Sequence, residues 1–170
     1  SKGNPLPVPI VLGEGGRTIP NQVITNDVNG YAGKSRIFDP QEDGLDFYES
    51  LEGMRVQVNQ ALTVSPTSKY REVVVVADKG KNATVLSSRG VLVLRPEDFN
   101  PERILIDDAF INISEIQVGA LFNQPIVGII GYDFGNFRLL PTEKLTFVKG
   151  NPTRETTSIS PEEKQLTVAT

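Results

Sequence analysis

Of the chain's 170 residues, 43 carry a branched β-carbon (18 Val, 13 Ile and 12 Thr), against only 7 alanines. Such side chains are stiff at χ1 and fit a pleated surface better than a helix. With 15 Gly and 12 Pro as punctuation, the pattern predicts a mostly β fold built from short strands and turns. The length allows a core without cross-links, because a domain of about 150 residues buries about 70% of its unfolded surface.

The composition also removes whole classes of chemistry. With no histidine, there is no Ser-His-Asp triad, no imidazole general base and no histidine metal site. With no cysteine, thiol nucleophiles, disulfides and zinc ribbons are excluded. The net charge of −4 comes from 17 basic and 21 acidic residues, which rules out a strongly basic nucleic-acid domain but not a local basic face. The acid is concentrated: Asp39, Glu42, Asp43, Asp46, Glu49 and Glu52 fall in one stretch without Lys or Arg, and the remainder carries 17 basic against 15 acidic residues. The longest fully apolar run, Val73–Ala77, has 5 residues, far below the ~20 that span a bilayer. Ser1-Lys2-Gly3-Asn4-Pro5 leads into no long apolar core, so no signal peptide is expected in this sequence.

Local patterns place the elements. Pro5, Pro7 and Pro9 suit an extended edge segment, and Glu14-Gly15-Gly16 reads as a turn rather than a phosphate loop. A short helix is expected over Asp43–Leu51, capped by Asp43 or Asp46 and stopped by Gly53. Met54–Val64 is the clearest strand, with Met54, Val56, Val58, Leu62 and Val64 on one face, the last four expected to be buried, and a bend at Gln60. A long, bent first strand suits a small closed barrel, where it serves both halves. Further strands are expected at Tyr70–Asp78, Val91–Leu94, Arg103–Ile106 and Leu145–Val148. Ile126–Phe134 and Phe137–Leu140 read as a hairpin turning at Gly135-Asn136, which sets Asp133 opposite Arg138 and Tyr132 opposite Leu139. As an exposed pair, Asp133 and Arg138 would contribute only ~0.2–1 kcal/mol. Residues 149–165 read as a linker, and Leu166–Thr170 as a further strand.

Candidate chemistry is sparse. Asp107 and Asp108 follow a strand and are weak candidates for a divalent metal, since adjacent strand residues point to opposite faces. The acidic run has Asp39, Asp43 and Gly44 at calcium-loop spacing, but Gln41 and Ser50 stand where ligands are needed. For nucleic acid, the useful pattern is aromatic residues interleaved with cations. Lys69, Tyr70 and Arg71 show it, as does Tyr132–Arg138, and Arg89 is a further lone cation.

Three stretches carry a resemblance to a known family. They are Phe38–Met54, Asp98-Phe99-Asn100-Pro101-Glu102-Arg103-Ile104, and Gly131-Tyr132-Asp133-Phe134-Gly135-Asn136-Phe137-Arg138-Leu139-Leu140-Pro141. The chain resembles, over residues 8–170, the region upstream of the catalytic domain in secreted bacterial nucleases of the endonuclease/exonuclease/phosphatase superfamily. That region looks like an OB-fold domain. One departure is Tyr70-Arg71-Glu72, where the family often has an aromatic-Gly-Glu turn. The resemblance implies an all-β, OB-like barrel over residues 45–149, a loop-rich extension over 1–44, and a linker plus the first strand of a missing catalytic domain over 150–170. It implies a non-catalytic accessory domain of a secreted, metal-dependent nuclease. The expected partners are the downstream catalytic domain and DNA or RNA, with no membrane; Lys69, Tyr70, Arg71 and Arg89 are the expected nucleic-acid contacts. No catalytic residue or cofactor is expected in this segment, and the divalent metal would belong to the catalytic domain. The alternative is a structural spacer that packs on the catalytic domain and touches no nucleic acid.

Overall fold

Val56 and Val58 are fully buried while Arg55 and Gln57 are half-buried, the two-residue alternation of a strand with one face on a core. They belong to β2 (Arg55–Val58), part of a computed structural model that describes residues 3–27 and 37–152, with Arg154 and Thr156. The other elements are β1 (Ile10–Leu12), α1 (Gly44–Glu49), β3 (Leu62–Thr63), β4 (Val73–Val76), β5 (Ile104–Ile106), β6 (Leu121–Phe122), β7 (Ile126–Asp133), β8 (Asn136–Pro141) and β9 (Phe147–Val148). The strands form one nine-stranded sheet in the order β1-β2-β7-β8-β5-β4-β3-β6-β9. Among the described residues, no helix is long and apolar enough to cross a membrane.

The sheet is curled because β2 and β3 are two halves of one bent segment. β2 pairs antiparallel with β7, whereas β3 pairs antiparallel with β4 and β6. Following β2, β7, β8, β5 and β4 therefore leads back to β3, on the same stretch of chain. β5 and β8 meet in parallel, with Ile106 opposite Leu139. This is the connectivity of an OB-like barrel, with residues 55–63, β4, β5, β7 and β8 as its five strands. The core is filled by Val56, Val58, Val73, Val75, Ile104, Ile106, Ile126, Ile130 and Leu139, with Leu12 from the N-terminal segment, Phe47 from α1 and Leu51 just after it. The single α-helix among the described residues precedes the first barrel strand. Asp43 caps it, accepting from the backbone N–H groups of Leu45 and Asp46, and Gly53 follows with a positive φ of 73°. Helix and N-cap lie where the sequence puts them, but the helix ends at Glu49 with Ser50 as its C-cap, ahead of the expected stop at Gly53.

The bend falls at Gln60, as expected, with a φ of 44°. It also slips the strand by one residue. Burial runs Val56, Val58, then Ala61 and Thr63, while Leu62 is only half-buried. Val64 is buried as expected, but Leu62 is not. A bulge adds one residue, and a one-residue slip turns the following side chains to the other face.

The hairpin also differs from expectation. Its turn residues are Phe134 and Gly135, with φ of 48° and 76°, the pair of positive angles that a type I′ turn requires. Asp133 faces Asn136, Tyr132 faces Phe137, Gly131 faces Arg138 and Ile130 faces Leu139. Each partner has moved two residues along β7, so every side chain keeps its face but Arg138 loses Asp133 as its cross-strand neighbour. The observed register stacks Ile130 on Leu139, both buried. Asp133 Oδ1 accepts from the Phe134 N–H, and Asn136 Nδ2 donates to the Phe134 carbonyl, which pins the turn.

Val91–Leu94 is not a strand of the sheet. It folds back on Val85–Ser87 through a single Leu86–Leu92 bridge and leaves Val91, Val93 and Leu94 exposed. The expected last strand is found as β9, paired with β6. Leu166–Thr170 lies outside the described residues.

The slip at Gln60 makes a testable consequence. It buries the Thr63 hydroxyl, which donates to the Gln117 carbonyl at 2.7 Å and accepts from the Ala120 N–H at 2.8 Å. Thr63→Val keeps the shape and strands both groups, so chemical denaturation should show a loss of ~1–3 kcal/mol. A neutral result would mean that Thr63 faces solvent.

Candidate functional site

Arg138 lies in β8 between Phe137 and Leu139 and is 7% exposed. A buried guanidinium must be paired, and its partners come from two other parts of the barrel. One terminal nitrogen donates to Asp107, just after β5, and lies 3.3 Å from Glu72, just before β4. The other donates to the Asp133 backbone carbonyl at 3.0 Å. Its Nε is buried without a partner. The Phe134 ring lies 5.8 Å from the guanidinium carbon. Arg138 thus ties the β7–β8 turn to the end of β5 and the entry of β4.

Glu72 ends the loop from residue 64 to β4, which contains Lys69, Tyr70 and Arg71. The tight turn just before Glu72 is made by Arg71, at a φ of 64°. A side chain in this left-handed region costs about 1–2 kcal/mol. Local bonds hold it: Ser68 Oγ accepts from the Tyr70 and Glu72 N–H groups, and Ser68 N–H donates to the Glu72 carbonyl. The Arg71 guanidinium donates to the Ile113 carbonyl at 3.1 Å. The Lys69 ammonium sits 4.8 Å over the Tyr70 ring, which is itself 66% exposed.

The two loops approach each other through Arg138. Phe134 at the hairpin tip is 86% exposed, and Tyr132 beside it is 55% exposed. Arg89 lies in the exposed turn between Ser87 and Val91. Asp107, read as a weak metal candidate, is occupied by Arg138 and by the Ala109 N–H, while Asp108 is half-buried.

The acidic run folds into a cap. Asp43 also accepts from Asn26 N–H, and Asp46 accepts from Asp39 N–H. With Asp27 they bring one carboxylate oxygen each within 4.8 Å of one another. Asp27 bonds the Thr25 hydroxyl. These bonds hold the N-terminal segment against α1, and the cluster is not a demonstrated metal site.

Asp98-Phe99-Asn100-Pro101-Glu102-Arg103 forms a second buried polar group. Asp98 accepts from the Thr84 hydroxyl, and Glu102, 2% exposed, accepts a 3.4 Å contact from the Thr84 N–H. The second Glu102 oxygen and the Asn100 side-chain oxygen have no partner. Burial raises the pKa of Glu102 above its ordinary value, and the neighbouring Asp98 adds to the rise. Burial likewise holds the Tyr48 phenol protonated, and its hydroxyl donates to the Arg103 carbonyl.

Sequence reasoning found the loop around Tyr70 and the Tyr132–Arg138 stretch, but it paired Arg138 with Asp133 at the surface and missed its burial against Asp107 and Glu72. The available signal was a lone arginine inside the apolar strand Phe137–Leu140, with lone acids abutting two other apolar strands.

The fold and the paired loops define an OB-like barrel with exposed aromatics at the loop positions where this architecture takes oligomeric ligands. The chain belongs to the family described as "Domain of unknown function (DUF8508)", matched over residues 11–151. No curated protein and no solved structure matches it.

Two measurements check these arrangements. Arg138→Ala leaves Asp107 buried and unpaired, so it should lose ~3–5 kcal/mol of stability rather than the fraction expected of a surface pair. A loss under ~1 kcal/mol would mean that water reaches the pair. For Glu102, the folded state holds the proton more tightly than the unfolded chain. Its contribution is therefore fully present below its ordinary value of 4.5 and is lost as pH rises through the raised folded value. Glu102→Gln should gain stability relative to wild type as pH goes from acid to neutral; parallel pH profiles would contradict this.

Proposed function

We propose that this chain is a non-catalytic accessory domain of a secreted, metal-dependent nuclease, and that its barrel holds a single strand of DNA or RNA near the catalytic domain. The observation that carries the reading is Phe134. It is the most exposed aromatic of the barrel's loops, and its own loop is tied through Arg138 to the loop of Lys69, Tyr70 and Arg71. An aromatic on such a tip has a free face for stacking, worth ~1–3 kcal/mol per base. Lys69, Arg71 and Arg89 would contact phosphates. The resemblance of the three motifs supports the nuclease context. The lack of histidine and cysteine, and the pairing of Asp107 with Arg138, support a domain that does no hydrolysis itself.

The spacer reading is favoured by the charge of −4. The two readings separate by fluorescence anisotropy with a labelled oligothymidylate at low salt. Binding is expected to be weak, with affinity falling by a log–log slope of about −0.7 per neutralised phosphate. Phe134→Ala and Tyr70→Ala, both exposed, should each weaken binding by about 5- to 100-fold without loss of stability. No binding at low salt would leave the spacer. Cleavage of a plasmid with magnesium, calcium or manganese that follows the protein through purification and disappears in Asp108→Ala would overturn the non-catalytic reading.

A further inference from the structure

A cleft of about 460 Å³ opens between α1, the N-terminal segment and the β7–β8 hairpin. One wall is aromatic: Tyr48 stacks on Phe137 at 6.0 Å, and Tyr132 packs on Phe137 at 4.9 Å. Glu49 and Glu52, at and just beyond the end of α1, line the opening with Asp27. α1 has no basic residue in its last turn, so the negative end of the helix is not offset there. Arg103 is the one cation of the lining, and its Nε is tied to the Asn100 carbonyl. Asn100 also lines the cleft; it is 3% exposed, and its side-chain oxygen has no hydrogen-bond partner.

We propose that this cleft binds the guanidinium or ammonium side chain of a basic peptide segment on a partner protein. Each feature matches a cation with a hydrocarbon stem. The exposed ring of Tyr132 attracts positive charge. The carboxylates of Glu49 and Glu52 neutralise it, and the Asn100 oxygen accepts from it. A phosphate would meet these same carboxylates as like charges, so the cleft differs in ligand from the loops around Phe134. The inference does not depend on nucleic-acid binding at those loops.

The test is a two-dimensional NMR titration of the full chain with a hexa-arginine peptide, and separately with hexaglutamate and an oligothymidylate. Hexa-arginine should shift the backbone amides of Glu49, Glu52, Asn100 and Tyr132, and hexaglutamate should not. Glu49→Gln with Glu52→Gln should weaken hexa-arginine binding by about 3- to 10-fold. Glu115→Gln, at an exposed acid outside the cleft, should leave it within twofold, which separates the cleft from the chain's general negative charge. Tyr132→Leu, at a half-exposed ring, should weaken it without unfolding the barrel. The proposal fails if hexa-arginine shifts amides evenly over the surface, if it shifts none, or if Glu115→Gln weakens binding as much as the cleft variants. It also fails if the oligothymidylate rather than the peptide moves the cleft amides, an outcome that would give the cleft to nucleic acid.

Discussion

One stretch of chain, residues 55–63, supplies hydrogen bonds to both ends of the curled sheet, and it can do so only because it bends at Gln60. The bend is held from outside: the backbone carbonyls of Asn59 and Gln60 accept from the N–H groups of Asp78 and Lys79. Those two residues also have positive φ, so a sharp turn after β4 stabilises a sharp turn before β3. Without the bend, β2 could still pair with β7 and β3 with β4, but the two halves would not lie on one barrel wall. The interior seen by Val56, Val75, Ile106 and Leu139 exists because that wall curls.

The second constraint is electrostatic. Closing the barrel brings the start of β4, the end of β5 and the start of β8 together, and each carries one charge: Glu72, Asp107 and Arg138. Two carboxylates against one guanidinium leave the group one negative charge in excess. Such a network adds little net stability compared with an apolar filling, but breaking it is costly. Its effect is to fix which loops are neighbours. The β7–β8 turn is only two residues long, and its position over the 64–72 loop follows from where Arg138 is held.

The surface then divides by charge. Lys69 and Arg71 lie in the 64–72 loop, next to an exposed ring. Glu49 and Glu52 lie at the end of α1, around a cleft walled by Tyr132 and Phe137. Tyr132 stands between them, one residue past Gly131 and two before Phe134. An overall charge of −4 hides this separation, since a sum carries no position.

The β-rich composition, the cap at Asp43 and the bend at Gln60 all follow from local rules, because each depends on a side chain acting on its own backbone or on its nearest neighbours. The strand starts near Ile104 and Ile126 follow equally from the apolar runs and the flanking turn residues, whereas β4 begins at Val73, three residues after the expected Tyr70. The choice of Phe134-Gly135 over Gly135-Asn136 as the turn does not. Both pairs contain a residue suited to positive φ, and what separates them is whether Leu139 meets Ile130 in the core. The half-burial of Leu62 depends on a bulge whose exact size is set by pairing with β4 and β6. The ion pairs of Arg138 reach residues 31 and 66 positions away, and no pattern within one strand records such partners. Local chemistry thus defined the elements and their caps. Register, burial of charge and the meeting of the two loops were decided by closure of the barrel, where distant side chains must share one interior.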